Sequence, residues 1–167
     1  DVLSEKDKTH IKSLILSEAN YNLNRTIPTG YNGDTKAEDN GWDTNILAIA
    51  SAVYSNETAA SNWYLKMQQF ASNSYSMLQD SSDTTTVAGK PASSWYIGQN
   101  LYNDYTLQNH NYFHTSYQNV VIEELCESYL ALKVMQQDNG ATKKFALADN
   151  LLWNQKPVFD HVLKELA

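Results

Sequence analysis

The chain has 167 residues, 42% of them apolar, which is enough for one domain with a buried core. Its formal charge is −7 and its Lys and Arg are nowhere clustered, so binding to a nucleic acid backbone is disfavoured. No apolar run approaches the roughly 20 residues that a membrane-spanning helix needs, and no membrane span is expected.

The polar residues are mainly Asn, Ser, Gln, Thr and Tyr, with charged residues at only 19%. Eleven Tyr and four Trp supply faces that are flat, apolar and hydrogen-bonding at once. Such faces suit sugar rings and ordinary helix packing alike. Few charges, many amides and one cysteine fit a secreted or cell-surface protein of bacterial type. That cysteine, Cys126, lies in a helical run flanked by acids, which predicts a buried, unreactive thiol. The opening Asp1-Val2-Leu3-Ser4 carries no signal peptide and reads as a mature fragment.

Periodicity predicts six helices and no strand. The first runs from about Ser4 to Asn24, opened by Ser4 with Asp7 three residues on and faced by Ile11, Leu14 and Ile15. Ile27-Pro28-Thr29-Gly30 breaks it. The second starts near Asp34 or Thr35, with Trp42, Ile46, Ile49 and Val53 as its expected buried face and small residues at 48–52 for close packing. A short connection at Ser55-Asn56-Glu57-Thr58 makes the third helix, with Trp63, Met67, Phe70, Ser74 and Met77, its antiparallel partner. From Gln79 to about Gln118 the pattern dissolves, yet this stretch holds five of the eleven Tyr and two of the four His. Long irregular segments of this kind are usually functional when ordered. Helix returns from about Tyr117 to Asp138, with Val121, Leu125, Tyr129 and Leu132 inward, and stops at Asn139-Gly140. A short helix from about Lys144 to Asn154 and a last one from Pro157 to Leu166 complete the chain. The apolar face of that last helix (Phe159, Val162, Leu163, Leu166) is expected to meet the rest of a larger parent protein.

The expected fold is therefore all-α. Residues 1–167 form a single helical domain of antiparallel helical hairpins with a long irregular insert. An α/α toroid, complete or partial, fits this order, as does a plain up-down bundle.

Two segments are too polar to be core. In Gly33-Asp34-Thr35-Lys36-Ala37-Glu38-Asp39-Asn40-Gly41-Trp42-Asp43-Thr44-Asn45, the pairs Asp34/Glu38 and Asp39/Asp43 each share a helix face. The plain reading is a helix start decorated with acids that its dipole favours. The functional one is a carboxylate and amide cluster, in which Glu38, Asn40, Asp43 and Asn45 grip hydroxyl groups, a Ca²⁺ ion or a proton. The second segment runs from Asp104 to Tyr117 and contains Asn109, His110, Tyr112 and His114. His110 and His114 lie four apart but in a loop, without the Glu of a zinc protease, so no metal site is assigned. These side chains either tie down a loop or line a cleft for proton transfer.

The two segments resemble a G-D-T-K-A-E-E-N-A-W and a later D-x-T-x-x-N-H-G-x-x-H-P-x-Y pattern of large bacterial secreted proteins. Those are similar to the α/α toroids of the heparinase and chondroitin-lyase type. Asn111 stands where that pattern has Gly and Thr115 where it has Pro. The resemblance implies a carbohydrate-active domain in which Asn109, His110 and Tyr117 abstract a proton beside a uronate carboxylate, with Tyr112 as second choice for the phenol. A polysaccharide lyase is one expectation. A glycoside hydrolase using Glu38 or Asp43 is another. The third is a non-catalytic module of a surface protein, where Trp42, Trp95 and the Tyr-rich loop hold a glycan or a protein partner.

Overall fold

The computed structural model describes residues 2–137 and 145–166. Helix α1 (Glu5–Leu23) opens on the expected capping pair. Ser4 Oγ accepts from the Asp7 amide at 3.2 Å, and the Asp7 carboxylate accepts from the Ser4 amide at 3.2 Å. Its apolar stripe departs from expectation. Ile11 and Leu14 are exposed, Leu14 by 71%, and of the expected stripe Ile15 alone meets the core, together with Leu16, Ala19 and Leu23.

Helix α2 (Ala37–Val53) is the centre of the fold and packs against both α3 (Ala60–Ser74) and α4 (Thr115–Gln137), with α1 beside it. Neighbours on several sides favour small side chains, and Ala37, Gly41, Ala48, Ala50, Ser51 and Ala52 are buried there, with Leu47 as the large apolar side chain that enters the core. The predicted stripe lies at the edge of this packing: Trp42 and Val53 are exposed, Ile46 and Ile49 half-buried, and Ile46 packs against the main core.

Helix α3 buries Trp63, Met67 and Phe70 as expected but ends at Ser74, so Met77 enters the core from the following loop. Helix α4 buries Val121, Leu125 and Leu132. Cys126, one position round from Leu125, falls on its open face, which corrects the buried thiol expected above. Partial burial still pushes that thiol up from its usual pKa.

Residues 75–114 are irregular but not structureless. Strand β1 (Thr86–Val87) pairs antiparallel with β2 (Lys90–Pro91), and β3 (Gln108–Asn109) with β4 (Tyr112–Phe113). Both turns carry positive φ at their two central residues: Ala88 and Gly89 in the first, His110 at 56° and Asn111 at 69° in the second. That is the backbone of a type I′ hairpin turn. Strands this short leave no alternation to detect.

Buried amides hold the rest. Asn100 Oδ1 accepts from the amides of Gly30 (3.0 Å) and Lys36 (3.2 Å), while its Nδ2 donates to the carbonyls of Asn73 (2.7 Å) and Pro28 (3.3 Å). Asn73 donates to the Trp95 carbonyl at 2.9 Å and accepts from the Ile97 amide at 2.9 Å. Gln118 on α4 accepts from the Leu107 amide and donates to the Tyr105 carbonyl. Leu101 and Leu107 are thereby delivered, fully buried, into the main core with Leu47, Trp63, Phe70 and Leu125. Val87, Ala92 and Trp95 form a smaller second core.

Near the end, the expected helix up to Asn154 is reduced to a 3₁₀ turn, Asp149–Leu152; its start at Lys144 and the predicted stop at Asn139-Gly140 lie outside the described residues. A final helical stretch follows as α5 (Gln155–Val158), a π turn (Phe159–Leu163) and α6 (Lys164–Leu166). It buries Val158 and Val162, whereas Phe159 and Leu166 are exposed. The architecture is mostly helix packed on helix, with two small hairpins.

Candidate functional site

The two polar segments, some seventy residues apart in sequence, touch along their length. The Thr35 amide donates to the Gln108 carbonyl at 2.7 Å, and the Gln108 amide returns a bond to Thr35 Oγ1 at 3.1 Å. The Asn111 amide donates to the Gly33 carbonyl at 2.7 Å. Gly33 itself has φ +72°, and a Cβ there would lie 2.2 Å from Asn111 Oδ1. The glycine of the first segment is thus demanded by the hairpin turn of the second.

Asn109 completes the junction. Its Nδ2 donates to Glu38 Oε1 at 2.7 Å and to Asp34 Oδ1 at 3.3 Å. Glu38, in the first turn of α2, is only 2% exposed. Burial pushes its carboxyl pKa up, opposed by hydrogen bonds from its own amide and from Asn109. Glu38 Oε2 and Asn109 Oδ1 are both buried without a partner. Lys36 at the rim donates to Asp34 at 2.7 Å and sits 3.7 Å from Asp39. The bond to Asp34 raises the Lys36 pKa.

An aromatic strip runs from this junction. Asn109 and Tyr112 are cross-strand partners, so their side chains share one face of the hairpin. Tyr112 is followed by His114 (centroids 5.8 Å apart, rings 19° from parallel), and His114 by Tyr117 (4.0 Å, 19°). Tyr117 meets the edge of Trp42 at 5.9 Å and 82°. Trp42 lies one helical turn after Glu38, which closes the circuit. Tyr112 is 56% exposed and Trp42 43%. His114 is held by its own position: its Nδ1 accepts from the Tyr117 amide at 3.2 Å and caps the first turn of α4.

Past Trp42, the Asn45 amide donates to both Glu124 Oε2 (2.7 Å) and Glu127 Oε2 (2.8 Å) on α4. The two helices run close here, with the backbone of Val121 and the side chain of Glu124 packed beside Gly41. Sequence reasoning missed Glu124 and Glu127. Two acids at i, i+3 on an amphipathic helix look like a solvated face, and nothing local marks them as partners of Asn45.

Of the predicted residues, the structure gathers Glu38, Trp42, Asn45, Asn109, Tyr112, His114 and Tyr117 on this seam between α2, α4 and the β3–β4 hairpin. His110 stands at the exposed tip of the hairpin, a position set by turn geometry. Asn40 is buried and donates to the carbonyls of Pro28 and Lys36, a structural use of the amide. Asp43 is buried against Arg25 at 2.5 Å; burial raises its pKa to about 6 although the guanidinium pulls it down. Trp95 lies in the second core with its indole N–H on the Val87 carbonyl at 2.9 Å, so it offers no open ring face. Glu38, Asn40, Asp43 and Asn45 therefore serve different partners and do not converge on one Ca²⁺ ion. Among the described residues no three His, Cys, Asp or Glu cluster as a metal site.

The arrangement combines exposed aromatic rings, fixed in place by their neighbours, with carboxylates and amides at either end. No known family model, curated protein or solved structure matches the chain.

Proposed function

We propose that this seam binds a carbohydrate and holds it without converting it. The observation that carries the reading is the continuous strip Tyr112–His114–Tyr117–Trp42, open to solvent at both ends and flanked by hydrogen-bonding oxygens. Aromatic faces pack against the C–H side of a sugar ring, while amides and carboxylates take its hydroxyls. Holding is favoured over lyase or hydrolase chemistry by two features. Glu38, the acid of the hydrolase expectation, is sealed beneath the strip, and His110, which the lyase resemblance names with Asn109 and Tyr117, stands at an exposed hairpin tip away from them. A uronate carboxylate would moreover meet Asp34, Glu38 and Asp39, like charges all.

In the same reading the chain is a secreted or cell-surface module within a larger parent protein, built as part of an α/α toroid-like array. The exposed Ile11 and Leu14 of α1 support a further helical neighbour on that side.

The test is a titration of oligosaccharides, read by quenching of tryptophan fluorescence and by calorimetry. Trp42→Ala should weaken binding at least tenfold while the melting temperature moves by only a few degrees, because the ring is largely at the surface. Unchanged affinity in that variant rejects the strip as the site. New reducing ends or unsaturated-uronate absorbance on incubation would replace the binding reading with an enzymatic one.

A further inference from the structure

We infer that the carbohydrate held on this strip is cationic: an oligosaccharide of amino sugars carrying free ammonium groups. The inference rests on the carbohydrate reading above and narrows it to one class of ligand. Its support is the kind of polar atom the seam leaves unanswered.

At one end of the strip stand Asp34, Glu38 and Asp39; at the other stand Glu124 and Glu127. The cation present, Lys36, is already shared between Asp34 and Asp39. The two α4 carboxylates share one amide donor, Asn45 Nδ2, and each keeps its second oxygen for another partner. Glu38 Oε2 and Asn109 Oδ1 at the first end, and Asn45 Oδ1 at the second, are buried without a partner, so they touch no ligand and act only through the negative field they add to the surface above them. Every one of these atoms is an acceptor. A surface with carboxylates at both ends, whose one local lysine is already engaged, is complemented by a positively charged donor.

The aromatic rings point the same way. Trp42, 43% exposed and in an edge contact with Tyr117 rather than a stack, is the ring best placed to attract an ammonium group to its negative face. Along α2, Glu38 and Asn45 are seven residues apart, or about 10 Å at the helical rise, the span of a short oligosaccharide. A uronate would be repelled at both ends. A neutral sugar would leave the acceptors' negative field uncompensated. A bare metal ion is served worse, because Asn45 turns a donor, not an oxygen, towards the two carboxylates.

The experiment compares three oligosaccharides of equal length on the native protein by calorimetry: de-N-acetylated chitosan oligomer, N-acetylated chitin oligomer and oligogalacturonate. Work at pH 6 keeps the amino groups charged, and each titration is repeated at low and high salt. The chitosan oligomer should bind at least tenfold tighter than the chitin oligomer, and this advantage should shrink severalfold in high salt. In the double variant Glu124→Gln, Glu127→Gln, which keeps the size and hydrogen bonding of both side chains, the ratio should fall towards one. Equal or tighter binding of the chitin oligomer overturns the cationic assignment while leaving the carbohydrate reading intact. Tightest binding by the oligogalacturonate overturns it and returns the uronate class. If none of the three binds, both readings fall together. A ratio unchanged in the double variant removes Glu124 and Glu127 from the recognition and overturns the proposal as argued.

Discussion

Asp43 pairs with the only arginine of the chain, yet its pKa is raised to about 6 because the cost of burying the carboxylate exceeds what Arg25 returns. A carboxyl group that holds its proton more tightly folded than unfolded has a defined pH signature. Its stabilising contribution is whole below about pH 4 and is lost as pH rises through about 6. A shift of roughly two pKa units corresponds to about 3 kcal/mol. Asp43→Asn keeps an oxygen for the Arg25 guanidinium but cannot ionise. Relative to the native protein, the variant should therefore gain stability between pH 4 and pH 7, by something on the order of 2–3 kcal/mol. Parallel curves of melting temperature against pH for the two proteins would refute this account of Asp43. Asn100 makes a different kind of claim, because it acts wholly through hydrogen bonds. Replacing it with Ala leaves the half-buried amides of Gly30 and Lys36 without a partner, while the Asn73 carbonyl keeps only Ser76 Oγ. Each of the two stranded amides costs about 1–3 kcal/mol, so Asn100→Ala should lower the melting temperature by ten degrees or more. A loss of only a degree or two, in chemical or thermal unfolding, would show that water replaces the side chain.

The helices were legible from apolar spacing and the seam between them was not, for reasons visible in α2. Trp42, Ile46, Ile49 and Val53 recur at helical intervals, and a surface helix would turn such a stripe inward. In this central helix the close contacts belong mostly to Ala, Gly and Ser, Leu47 alone of its large apolar side chains is fully buried, and the predicted stripe is left at the edge of the packing. Periodicity reports a face but not which way it looks. Contact between the two polar segments was equally hidden, since it depends on a hairpin whose strands are two residues long. Its turn, His110-Asn111, lacks the glycine that usually announces a type I′ backbone, although Asn tolerates the left-handed region. Even the buried asparagines look like ordinary loop residues until their backbone partners are known. Gly33 offers the sharpest test of the hairpin's role. Alanine there meets both an unfavourable φ and the Asn111 side chain, at a cost of about 1–3 kcal/mol. Gly33→Ala should therefore destabilise the protein and weaken sugar binding together, because Asn109 and Tyr112 ride on the displaced hairpin. If binding survives in a destabilised but folded variant, the hairpin does not position the strip.

Residues 75–114 raise a question about the chain as a body: whether so long an irregular stretch opens by itself or only when everything unfolds. Loops with few buried contacts open locally, at little free energy. This one differs in how it is attached. Its Leu101 and Leu107 are fully buried in the main core, and Asn100 Nδ2 and the Ile97 amide donate to the carbonyl and the side-chain oxygen of Asn73 at the end of α3. Its β3 strand is bonded to Thr35 at the mouth of α2, and Gln118 ties it to the first turns of α4. Lifting the segment away would expose both leucines and strip partners from α2, α3 and α4 at once. Those losses fall on three helices together, so partial opening has no stable end point. Hydrogen exchange should then find the amides of Thr35, Asn100 and Asn111 as strongly protected as those in the middle of α3, all exchanging through one global transition. Denaturant should weaken their protection in parallel. Loop amides that exchange orders of magnitude faster than α3, with little response to denaturant, would mean that the segment opens independently. The binding strip, one end of which sits on the β3–β4 hairpin, would then be assembled only part of the time, and its affinity would be reduced by that fraction.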